Sequence, residues 1–189
     1  MGAPFASFKI YVGTTGSSIE YPLAGGTASS PNLNLMSSNT VDTSGTLYQT
    51  LLINIPASGS AYSYERWFRM RFDANTAYSL ITNIKLWHES GGLSDGALSL
   101  FVAKTDATAS FVTPQNTALM AYTGITDMSI ANTAGTNINY VLDLTPTASI
   151  AASATGYSQY GIIQLRVPSA VATFGDIGIQ TMKVSYEVS

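Results

Sequence analysis

Apolar residues recur with a period of two along most of the chain, and no stretch keeps a helical period beyond about two turns before Gly, Pro or Asn interrupts it. That pattern calls for strands. Phe8, Ile10 and Val12 alternate with Ser7, Lys9 and Tyr11. From Tyr64 to Phe72 one face carries Phe68, Met70 and Phe72, and the other Glu65, Trp67, Arg69 and Arg71. Residues 79–87 set Leu80, Ile84 and Leu86 against Ile81, Asn83, Lys85 and Trp87. The short linker from Asp73 to Ala77 predicts a hairpin, with these two strands as antiparallel neighbours. Further strands are expected at 47–55, closed by Pro56, and at 98–102, 118–122, 127–130, 138–144, 160–167 and 179–188. Residues 148–154 have room for one helical turn, not a helix. Eight or nine strands in 189 residues predict a single all-β domain, an antiparallel β-sandwich of which a jelly roll is one form. Residues 13–46, rich in Gly, Ser, Thr and Asn, read as an extended arm or loop segment.

Several function classes drop out on inventory. Only 10% of residues are charged, against 46% hydrophobic and a net charge of −3, so the signature of disorder is absent. No apolar run approaches the ~18 residues of a membrane span. Eight basic residues against eleven acidic ones leave no electrostatic footprint for nucleic acid. The chain has no cysteine, which excludes disulfides and thiolate chemistry. Its one histidine, His88, would have to serve any Ser-His-Asp machinery; without a Gly-x-Ser-x-Gly elbow it reads as a half-exposed residue at a strand end. The acids are scattered singly from Glu20 to Glu187, without metal-ligand spacing, and Asp95-Gly96 and Asp176-Ile177-Gly178 read as turns. Gly13-Thr14-Thr15-Gly16 and Gly25-Gly26 lack the lysine of a phosphate loop. The expectation is a non-enzyme with no cofactor and no metal. The start, Met1-Gly2-Ala3-Pro4-Phe5, has neither the basic nor the apolar region of a signal peptide.

One cluster stands out. Arg66, Arg69, Arg71 and Lys85 are half of the basic residues and fall beside both tryptophans, Trp67 and Trp87. Trp67, Arg69, Arg71, Lys85 and Trp87 are therefore the candidate partner-binding patch, since Trp and Arg carry much interface energy. The plainer reading has the tryptophans coating a sheet face under arginine stems, with Glu65, Asp73 and Glu89 neutralising the charges. Eleven tyrosines also leave open a sugar-stacking surface. About a quarter of the residues are Ser or Thr, so the surface is polar but nearly uncharged. A free monomer usually keeps itself apart with charge, and so little charge suggests surfaces buried against other subunits.

The phrases Tyr64-Glu65-Arg66-Trp67-Phe68-Arg69-Met70-Arg71-Phe72, Ile81-Thr82-Asn83-Ile84-Lys85-Leu86-Trp87 and Ser90-Gly91-Gly92 resemble a recurrent pattern in structural proteins of tailed bacteriophages. The ending resembles it too, with Gln164-Leu165-Arg166-Val167-Pro168, a turn at Gly175-Asp176 and a last strand through Tyr186-Glu187-Val188. The resemblance runs from about Tyr64 to the C-terminus. It implies a virion protein assembled in the host cytoplasm: a capsid decoration or cement protein, or a minor capsid protein. Its partners would be the major capsid protein or other virion subunits and further copies of itself, without direct contact to nucleic acid or membrane. The family implies no catalytic residues. In this picture residues 13–46 lie along neighbouring subunits. The rival reading is a carbohydrate-binding or adhesin module on the same fold.

Overall fold

In the computed structural model, which describes residues 6–12, 16–22, 33–40, 47–74, 79–105, 110–118, 122–131, 141–146, 150–151, 154–172 and 179–189, the alternating segments become strands in two antiparallel sheets. The strands are β1 (Ala6–Val12), β2 (Ser17–Pro22), β3 (Ser60–Tyr62), β4 (Arg66–Phe72), β5 (Leu80–Ser90), β6 (Ser99–Lys104), β7 (Thr123–Asp127), β8 (Val141–Asp143), β9 (Ile150–Ala151), β10 (Gly156–Tyr157), β11 (Gly161–Pro168) and β12 (Thr181–Val188). An eight-stranded sheet runs β2-β1-β4-β11-β6-β7, with β10 beside β4 and β3 beside β11. A four-stranded sheet runs β12-β5-β8, with β9 beside β5.

Inward residues of both sheets meet in one core. The larger sheet gives Ile10, Phe68, Met70, Phe72, Leu100 and Val102, and the smaller gives Ile81, Ile84, Leu86 and Leu142. Each such burial contributes roughly 1.5–3 kcal/mol, so this shared layer holds the sheets together. The chain is therefore an all-β sandwich. A jelly-roll connectivity is a narrower statement, which this strand order does not establish.

Several expectations are corrected. Strands β4 and β5 do not form a hairpin: β4 pairs with β1, β10 and β11, and β5 with β8, β9 and β12. Each turns an apolar set inward, Phe68, Met70 and Phe72 on β4 and Ile81, Ile84 and Leu86 on β5, and these sets oppose each other across the core, so the link between the strands is an arch from sheet to sheet; residues 75–78 of it lie outside the described residues. The facing of early β5 is also reversed, with Ile81 fully buried and Leu80 exposed. A bulge is the cause. Lys85 pairs with Ser185 and Thr82 with Glu187, so Asn83 and Ile84 oppose the single residue Tyr186. Asn83 takes φ 52°, a left-handed conformation that Asn tolerates better than most residues.

The described parts of 13–46 are built into the domain. Residues 17–22 form β2 against β1, and Met36 is fully buried. Arg66 fixes this segment by donating Nε to the Asn34 carbonyl and Nη2 to that of Ser38. Residues 47–55 form no strand; Leu47–Gln49 is a 3-10 turn, and Ile53 and Ile55 pack on the core as extended chain without a ladder partner. Among the described residues twelve strands replace the eight or nine expected: β2 and the short β3, β9 and β10 were not foreseen, while β8 falls within the strand expected at 138–144. The seventh strand is Thr123–Asp127 and ends where a strand at 127–130 was expected to begin. Residue 118 is not in a strand, and residues 119–121 lie outside the described residues, as do 132–140, 147–149, 152–153 and the Gly175-Asp176 turn.

Candidate functional site

Alternation along β4 sends Trp67, Arg69 and Arg71 to the outer face of the larger sheet, away from the core. There they meet a second apolar layer. Trp67 is 1% exposed and packs edge-on against Phe111, Tyr122 and Tyr160, at centroid distances of 5.4, 5.8 and 5.5 Å. Arg69 lies in a cage of tyrosines: its Nε donates to the Tyr11 hydroxyl, and its guanidinium carbon is 3.8 Å from the Tyr157 ring centre, 4.8 Å from that of Tyr160 and 5.2 Å from that of Tyr11. The ladder sets Lys9 directly opposite Arg69, a repulsive arrangement. Tyr157 is within reach of both cations, and Glu20 lies 3.9 Å from Lys9. Arg71 bridges Glu20 at 2.7 Å and Asp73 at 2.5 Å. The Ser7 hydroxyl, together with Arg71 and Lys9, holds the Glu20 carboxyl below its usual range.

Lys85 and Trp87 face outward from the smaller sheet. Lys85 pairs with Asp143 at 2.6 Å; burial works against that carboxylate, but hydrogen bonds from Lys85 and Thr145 hold it down at about 2. Trp87 donates Nε1 to Glu89 at 2.6 Å, and Lys183 holds the other oxygen of Glu89 at 2.8 Å. The candidate patch therefore divides: Trp67, Arg69 and Arg71 lie on one outer face, and Lys85 and Trp87 on the opposite one, with the core between them. The rings of Trp67, Tyr11 and Tyr160 are buried against one another and against Phe111.

All eight basic side chains are engaged within the chain. Lys9, Arg71, Lys85 and Lys183 pair with carboxylates; Arg66 holds carbonyls, Arg69 the tyrosines and Arg166 the Ser60 hydroxyl, and Lys104 also has a partner. Comparison with protein-family models, curated proteins and solved structures returns no match.

Two polar residues differ from their sequence reading. His88 is fully buried, not half-exposed, because it continues the inward series Ile84, Leu86 past the bulge. Its Nδ1 lies 2.8 Å from the Met128 carbonyl and its Nε2 2.8 Å from that of Ser90, so it ties β5 to the end of β7. Glu65 neutralises no arginine. Its Oε2 accepts from Trp67 Nε1 at 3.0 Å, Tyr122 hydroxyl at 3.1 Å and the Gln115 amide at 3.2 Å, at 2% exposure. Among the described residues no group of three His, Asp or Glu is placed to hold a metal ion.

Burial raises the Glu65 carboxyl above its ordinary 4.5, against the pull of its three donors. The native state thus keeps the proton to higher pH than the unfolded chain, so stability falls as pH climbs from about 4.5 through the raised native value. Glu65→Gln retains an acceptor oxygen and has no charge to bury. In urea unfolding its stability relative to the unsubstituted protein should rise as pH climbs above about 4.5 and level off once the native carboxyl has ionised; a pH-independent difference would refute a buried carboxylate. Sequence inspection missed the tyrosine cage, although Tyr157 and Tyr160 between Gly156 and Gly161 were a signal: two aromatics at a sharp turn leading into a strand.

Proposed function

We propose that the chain is a non-enzymatic assembly protein of a virus particle, a capsid decoration or minor capsid component that stabilises the assembled shell. The observation that carries this reading is the complete internal use of its basic side chains. A face whose cations are spent on its own acids and tyrosines has little to offer a phosphate backbone. It suits flat, neutral contact with other protein surfaces. Exposed apolar side chains are distributed over that surface, with Leu52, Val112, Ile130 and Ile179 each more than half exposed. The resemblance of residues 64–188 to tailed-phage structural proteins directs the reading to a virion. The described parts of 13–46, β2 and residues 33–40, are built into the domain, and the docking surfaces proposed are its faces and edges.

The test is quantitative mass spectrometry of gradient-purified particles from cells carrying the gene, paired with a gene deletion. The protein should be present in many copies per particle, and deletion should give particles that lose their contents at lower temperature. Absence from purified particles would overturn the proposal.

A further inference from the structure

We infer that β12 is a self-pairing edge, through which two copies join their smaller sheets about a two-fold axis at Ser185. The inference stands apart from the virion reading. Among the described residues β12 pairs with β5 alone, and its two charges, Lys183 and Glu187, are of opposite sign, so they deter a foreign strand but not a second copy in the right register. It runs eight residues without proline, and both bulges in the β5–β12 ladder put the extra residue on β5, so β12 stays regular. Ser189 exchanges both backbone hydrogen bonds with Leu80. Backbone groups alternate sides along a strand, so the N–H and C=O groups of Met182, Val184, Tyr186 and Val188 point to the open side.

The side chains choose the partner. In an antiparallel pair of two β12 strands centred on Ser185, Lys183 faces Glu187 of the second copy and Glu187 faces Lys183 of the second copy. Within one chain Lys183 holds Glu89 and Glu187 accepts from Asn83 Nδ2, and the three donors of the ammonium and the two oxygens of the carboxylate leave each able to take this further partner. Moving the axis by one residue either way would put Lys183 opposite Ser189 or Ser185, and both ion pairs would be lost. On the inner face the same register sets Val184 against Tyr186 and Met182 against Val188. These apolar residues are only half-buried in the single chain, and Val188 is 48% exposed. The surroundings agree. Strand β8 packs across to β6 and β7, and Tyr186 meets Phe72 of β4, so the open side of β12 faces the β1–β2 half of the larger sheet. There Phe8 and Ile19 are only partly buried, and a second β12 would lie over them.

The test is sedimentation equilibrium of the full chain with exchanged charges. Both residues are exposed; K183E gives up the ion pair with Glu89 and E187K the bond from Asn83, surface contacts of small worth, so both variants should fold, checked by circular dichroism. The parent should dimerise. Each variant alone replaces two attractions by two repulsions and should dimerise about tenfold more weakly or worse. Mixed together, K183E and E187K restore both pairs, and a heterodimer should form; the K183E/E187K double variant should recover the parental affinity. A parent that stays monomeric at high concentration overturns the inference, as does a dimer indifferent to the exchanges.

Discussion

Trp67→Ala lowers the unfolding free energy by about 4 kcal/mol, close to the largest loss expected from any single truncation in this domain. Three causes add. The indole is 1% exposed in an aromatic layer with Phe111, Tyr122 and Tyr160, and truncation removes its packing against all three rings. Phe111 is held over it by a segment anchored through the Gln115 backbone, which exchanges hydrogen bonds with Glu65. Removing the indole N–H also takes one of three donors from a buried carboxylate. Trp67→Phe should therefore lie between, recovering packing but not the donor. Trp87→Ala should cost less, because that ring is 9% exposed and its N–H is held by the part-exposed Glu89. Equilibrium urea unfolding decides it; a loss under about 1 kcal/mol for Trp67→Ala would show that the layer is loosely packed. A binding defect in this variant says nothing about a docking residue unless its fold has been checked first.

What alternation reports is the side to which a residue points, and there it served well. The inward sets Phe68, Met70, Phe72 and Leu86, Ile84 are core residues, and the outward sets Trp67, Arg69, Arg71 and Lys85, Trp87 do leave the core. Alternation carries no information about the neighbouring strand. A linker of about five residues serves a hairpin and an arch equally well, so the pairing of β4 with β5 was not legible, and with it went the unity of the candidate patch. The bulge at Asn83 hid for a related reason: one extra residue reverses every facing before it, and only the partner strand reveals the slip. Outer-face burial was hidden by non-strand segments. Nothing in the local pattern of β4 says that Phe111 and Tyr122, some 40 to 55 positions later, will cover it.

Gly161→Ala tests the inner layer in the same way, with a sign opposite to the usual one. Replacing glycine inside a strand normally stabilises by about 0.5–1 kcal/mol, because the unfolded chain loses freedom. Gly161 sits opposite Phe68 in the β4–β11 ladder, and a Cβ there would fall 2.3 Å from Phe68 Cζ and 2.5 Å from Cε2. The ring has nowhere to go: it is 2% exposed and stacked on Phe8 at 5.0 Å. The methyl must push apart the pairing of two central strands, and the expected loss is about 3 kcal/mol. Phe68→Leu, which removes the obstructing ring edge, costs stability by itself but should cut the cost of the alanine to about 1 kcal/mol. A double-mutant cycle then gives a favourable coupling of about 2 kcal/mol between positions 68 and 161. Additive losses would mean that the alanine acts elsewhere, and a neutral Gly161→Ala would mean that the glycine is not there to seat the ring.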